Sequence, residues 1–220
     1  MEDTDFVKLW KGHYEKIDQS LAINKQLLRE ITNQKAESSM QSLIRHKQRG
    51  IIAVTVYLLI LGILLFFSIA EYKPEKAYFI FSVMAIFIVN LKAMYDYIKH
   101  LIWAQRINYN GSISDIQQQL SKLQFSIISH TRIMCLQFPF FTTFYLSNKW
   151  FPQEVGIGYI MFQVILTGSF VYLSYWLYKN HTIENLNKEW FKNMIAGSGG
   201  KQVLKAMEFY KEIIEFKNEK

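Results

Sequence analysis

Four apolar blocks decide what this chain can fold into. They cover residues 51–70, 77–91, 127–146 and 155–178, and the charge lies almost wholly between them. A membrane-crossing helix needs about 20 mostly apolar residues to span ~30 Å of hydrocarbon, and the first, third and fourth blocks reach that length unaided. The second borrows from its flank. Across 220 residues, 50% hydrophobic and 20% charged, the greasy blocks and the polar remainder average to a mean hydropathy of only +0.03. The layout excludes a soluble, secreted or disordered chain. It predicts an all-α polytopic membrane protein with four transmembrane helices and a cytoplasmic helical layer.

Charge sets the expected orientation. Residues 1–50 hold 9 Lys and Arg, residues 92–132 hold 5 and residues 179–220 hold 8, so 22 of the 25 basic residues fall on one side of a four-span arrangement. Positive charge is retained in the cytoplasm, which predicts a multi-pass inner-membrane protein with both termini and the middle loop inside. The first 50 residues are polar, so no secretory signal peptide is expected. The net charge of +7 fits orientation and anionic lipid better than nucleic acid, because Lys and Arg alternate with Asp and Glu on helices and no aromatic stacking pattern accompanies them.

Three segments are expected on the cytoplasmic side, about residues 3–48, 92–126 and 180–220. In residues 1–50, Trp10, Tyr14, Ile17, Leu21, Asn24, Leu28 and Ile31 step by four and three, a heptad seam in which Asn24 would fix register. The seam either lies on the protein's own helices or pairs with a second chain, a cytoplasmic protein partner or another copy. Within the bundle region 51–178, the second helix continues past the membrane with Leu91, Tyr95, Ile98 and Ile102 on one side and Lys92, Asp96 and Lys99 on another. Asn110-Gly111 marks a turn and Ser112 a helix cap, so residues 92–126 form a hairpin. Residues 179–220 read as two amphipathic helices joined by a Gly-Ser hinge at 197–200, with Gly197, Gly199 and Gly200 as its flexible points. The last helix carries Val203, Met207, Tyr210 and Ile214 as an apolar stripe.

Positive signs of catalysis are absent from the sequence. Gly197-Ser198-Gly199-Gly200-Lys201 looks like a phosphate-cradling loop but has Ala196 and Gln202 where that loop needs Gly and Ser or Thr. His13, His46, His100, His130 and His181 lack metal-ligand spacing, although His100, His130 and His181 each sit near an inner end of a span. The single Cys135 permits no internal disulfide. No cofactor, metal or enzyme activity is expected. Asn90, Gln137 and Gln163 are the deep polar candidates for a pore or for bonds between helices, and His130 and Arg132 lie a turn or two inside the cytoplasmic boundary. Pro139 is expected to kink the third span.

The segments Leu9-Trp10 and 17–31, with Lys35, together with residues 113–123 and 204–217, resemble a family of small, uncharacterised bacterial inner-membrane proteins with four spans. The resemblance implies a membrane-bound regulator acting beside extracytoplasmic-function sigma factors, and it brings no catalytic residues. The expected function is therefore a membrane-anchored regulatory or scaffolding protein that holds its partner through amphipathic helices. An oligomeric pore or small transporter is the second reading, and an intramembrane enzyme the third.

Overall fold

The structure, a computed structural model, describes residues 3–218. All regular structure among them is helical: α1 (Asp3–Ala70), α2 (Ala77–Gln105), α3 (Ile113–Met134), α4 (Ile157–Asn180), α5 (Glu189–Ala196) and α6 (Gly200–Asn218), with short 3-10 stretches between. Among the described residues three helices are long and apolar enough to cross a membrane: α1, the helix of Pro74–Gln105, and α4.

The first proline in the chain is Pro74, and nothing before it interrupts helical hydrogen bonding. The amphipathic amino-terminal segment and the first apolar block therefore form one uninterrupted 68-residue helix, about 100 Å long. Roughly 20 of those residues suffice to cross the hydrocarbon. Large apolar side chains such as Ile52, Leu59, Phe66, Met161, Val164 and Tyr172 remain exposed on α1 and α4, as lipid-facing helices require.

Below the apolar segments a core gathers Ala36, Met40 and Leu43 from α1, Ile116, Leu120 and Leu123 from α3, and Val203 and Ala206 from α6. The α2–α3 hairpin closes over it. Ser112 accepts from the Asp115 amide at 3.1 Å, which caps α3, while the loop is tied to α1 by Arg29 donating to the Gly111 carbonyl at 2.6 Å and Asn33 to the Tyr109 carbonyl at 2.9 Å.

The third apolar block departs from the expected kinked α-helix. Regular α-helix stops at Met134, a 3-10 helix follows over Cys135–Thr142, and turns fill residues 143–155. Pro139 cannot donate to Cys135, four residues back, so the α pattern fails around it. The block still runs the length of α2. His130 meets Asp96 at 3.3 Å, Gln137 meets Asn90 at 3.0 Å, Thr143 meets Ser82 at 2.8 Å and Asn148 meets the Pro74 carbonyl at 3.0 Å. A 3-10 helix rises ~2.0 Å per residue against ~1.5 Å for an α-helix, so fewer residues cover the same depth.

The helix expected after α4 is also broken. A 3-10 turn occupies Ile183–Asn185, where Asn185 donates to the Asn180 carbonyl at 2.7 Å, and α5 begins only at Glu189. At residues 197–200, expected as a flexible hinge, the structure has a tight corner. Gly199 (φ 85°) and Gly200 are buried, Gly199 against Leu43, and Gly200 against Ile195, while the Gly197 carbonyl hydrogen-bonds His46 Nε2 at 2.8 Å. A side chain at Gly199 would strike Leu43 and would have to adopt a left-handed backbone.

Candidate functional site

Two regions stand out, a buried polar joint where α1, α2 and α3 meet and a partly exposed apolar seam on the arm of α1.

The joint is built on the inward face of α2. Asn90, Ala93, Asp96, His100 and Ala104 are buried, whereas Leu91, Tyr95, Ile98 and Ile102 face outward. Asp96 is held by Lys92 Nζ at 2.5 Å, by Lys99 Nζ at 3.1 Å and by His130 Nδ1 at 3.3 Å. His100 Nε2 lies 2.9 Å from Ser126 Oγ, and its ring stands edge-on to His130 with centroids 5.9 Å apart. Lys47 reaches in from α1, fully buried, with its ammonium 4.1 Å from the centre of the Tyr97 ring and no hydrogen-bond acceptor among the described residues. Tyr97 also lies 5.0 Å from the His130 ring and presses on α1 at Gly50, where a Cβ would collide with it. One carboxylate thus faces three lysines and a histidine.

Sequence reasoning placed Lys92, Asp96 and Lys99 together on one side of the helix, took Lys47 only as a basic residue ahead of the first span, and did not single out Tyr97. The spacing of Asn90, Ala93, Asp96, His100 and Ala104 by three and four, small and polar throughout, marks the inward face in hindsight. Of the three histidines near inner span ends, the structure brings His100 and His130 together and leaves His181 apart. His181 Nδ1 donates to the Leu177 carbonyl at 2.6 Å, with its ring 5.0 Å from that of Phe191 and 6.2 Å from that of Trp190. Burial holds the His181 imidazole below its ordinary pKa, the Leu177 hydrogen bond opposes this, and the charge of Arg132 adds to it. No cluster of three His, Cys, Asp or Glu with metal-binding geometry occurs among the described residues.

The deep polar candidates bond across elements. Asn90 donates to Gln137 Oε1, while Gln163 donates to the Thr142 carbonyl at 2.6 Å and accepts from the Tyr145 hydroxyl at 2.8 Å. Arg132 stacks its guanidinium 3.9 Å from the centre of the Tyr178 ring. Buried Cys135 donates its thiol to the Thr131 carbonyl at 3.3 Å.

On the arm, Tyr14, Ile17, Asn24 and Ile31 are exposed, Leu21 is half-buried, and Leu28 packs against the core shared by α1, α3 and α6. The stripe of α1 that is buried is Thr32, Ala36, Met40, Leu43 and Lys47, rotated away from the seam. In α6, Val203 is buried and Met207 partly so, both in that core. The side chains of Trp10, Tyr210 and Ile214 lie outside the described residues. A groove of about 1080 Å³ between α3, α5 and α6 carries Lys192, Lys201, Lys205 and Lys211 with Glu189 and Glu208.

Comparison with family models, curated proteins and solved structures returns no match to this chain.

Proposed function

We propose that this is a membrane-anchored regulatory or scaffolding protein of the inner membrane, with four crossings, both termini cytoplasmic, and an amphipathic helical arm offered to a protein partner. The observation that carries the reading is the continuity of α1: the arm, with Ile17, Asn24 and Ile31 of its seam exposed, and the apolar membrane segment are one helix. A rigid rod of this kind holds a docking surface tens of ångströms from the bilayer and ties its tilt to the bundle. The fourth crossing is the third apolar block, supported by its run of contacts with α2 from Asp96 to Pro74. A pore finds less support, because Asn90, Gln137 and Gln163 spend their polar groups on one another and on backbone carbonyls.

The arm has a direct test. Leu21→Asp places a carboxylate in the seam, and burying it unpaired costs several kcal/mol. The variant is expected to insert and retain its melting temperature in detergent while losing cross-links from the arm to any protein. Unchanged cross-linking would overturn the reading.

A further inference from the structure

The register of α1 extends further than the arm. Continuing the seven-residue repeat of Tyr14, Ile17, Leu21, Asn24, Leu28 and Ile31 along the same helix returns Ile52, Val56, Leu59, Ile63 and Phe66 in the membrane segment. All five are more than half exposed. Between the two patches the repeat falls on Lys35, Ser38, Ser42, Arg45 and Arg49, so the apolar seam is interrupted alongside the α1/α3/α6 core and up to the start of the membrane segment.

What covers this surface follows from the continuity of α1. Every copy inserted in one bilayer carries its arm in the same direction, so two arms that meet run parallel and in register. In that arrangement Asn24 faces Asn24. An asparagine side chain holds both a donor and an acceptor and is satisfied by its own twin across a two-fold axis, whereas a purely apolar partner would leave it unpaired. We propose that the α1 seam is closed by the α1 of a second copy, as a parallel two-stranded coiled coil in the arm and a second contact through Ile52, Val56, Leu59, Ile63 and Phe66. The inference rests on the reading of the arm as an interaction surface and names its occupant.

The two contacts reinforce each other. Once the arms pair, the membrane patches meet at high effective concentration, so neither needs to hold the dimer alone. Between the patches Lys35 lies 5.8 Å from the centre of the Phe209 ring of α6, while Arg45 and Arg49 have side chains long enough to reach solvent or anionic headgroups at the edge of the seam. A seven-residue repeat on helices of 3.6 residues per turn also winds the pair left-handedly, which keeps both patches facing the partner along so long a rod.

Disulfide trapping in isolated membranes tests this. Cys135 is the sole native cysteine and is buried, so Cys135→Ala supplies a silent background. Ile17→Cys, Leu21→Cys, Asn24→Cys and Leu59→Cys are expected to give a band of doubled mass under mild oxidation, at least fivefold stronger than Gln19→Cys or Gln26→Cys on the opposite face. Adding Leu21→Asp to Asn24→Cys should abolish that band, and Leu21→Ile should keep it. Equal trapping at seam and off-seam positions, or none, overturns the dimer. A photo-cross-linker at Leu21 then separates the two readings: attachment to a different protein keeps the arm as a docking surface while ending self-pairing, and attachment to nothing ends both.

Discussion

Ser174 on α4 donates its hydroxyl hydrogen to the carbonyl of Cys135 at 2.9 Å, the carbonyl that Pro139, with no N–H, cannot serve in an α-helix. Farther along, Gln163 of α4 serves the Thr142 carbonyl, and Thr142 and Thr167 share a hydrogen bond of 3.0 Å. Buried backbone that has left the α pattern persists only where other groups satisfy it, and α4 performs that office for the third apolar block.

Ser174→Ala and Gln163→Leu should therefore each lower stability by about 1–3 kcal/mol, the cost of leaving a buried polar group unserved. Their effects should add, since the two sites are about three helical turns apart. Melting temperatures in detergent check both. Variants as stable as the parent would mean that α4 contributes packing alone to this segment.

At the polar joint, opposite signs are expected from its two ends. Lys47 is buried over Tyr97 without an acceptor, so Lys47→Met, similar in length and apolar, should be neutral or stabilising. Asp96 is the single carboxylate among Lys92, Lys99 and His130. Asp96→Asn removes the counter-charge of Lys92 and Lys99 and the carboxylate that meets His130, and should cost about 1–3 kcal/mol. Thermal unfolding of the pair gives the answer, and a Lys47→Met protein less stable than Asp96→Asn would refute this account of the joint.

Much of the helix content was legible because apolar blocks and turn residues are local signals: Ser112 with Asp115 marks the start of α3, and Pro74 the turn between α1 and α2. Two features were not. The change from α to 3-10 at Cys135 depends on hydroxyls and an amide supplied by α4, more than 20 residues away, which periodicity cannot report. The burial of Asp96 and Lys47 inverts the usual rule that charge marks the solvated face, because the outward face of α2 beside them carries the apolar Leu91, Tyr95 and Ile98. The glycines at 197–200 were visible as a break in helix, yet only their closeness to Leu43 and Ile195 makes them a corner.

Topology carries a prediction drawn from the same charges and contacts. A reporter active only in the cytoplasm should work when fused at Gly111 or at Lys220, and one active only outside should work at Pro74 or Pro152. An external reporter working at Gly111 would invalidate the four-crossing arrangement. Cytoplasmic activity at Pro152 would leave the third block folded back on the inner side.

The corner after α4 should respond to pH. His181 is buried against Phe191 and Trp190, and its folded-state pKa lies below the ordinary value of 6.5. Between those two values the unfolded chain binds more protons than the folded one, so stability rises with pH across that window. The contribution is complete above about 6.5 and is lost as pH falls toward the folded-state value. Hydrogen exchange over α5 should therefore be slow at pH 7.5 and quicken as the pH is lowered through 6 to 5, after correction for intrinsic rates. His181→Gln keeps a side-chain donor for the Leu177 carbonyl but cannot take up a proton, so its α5 exchange should lose the pH dependence while remaining faster overall from lost ring contacts. Equal pH dependence in parent and variant would assign the effect to another group and remove His181 from the account.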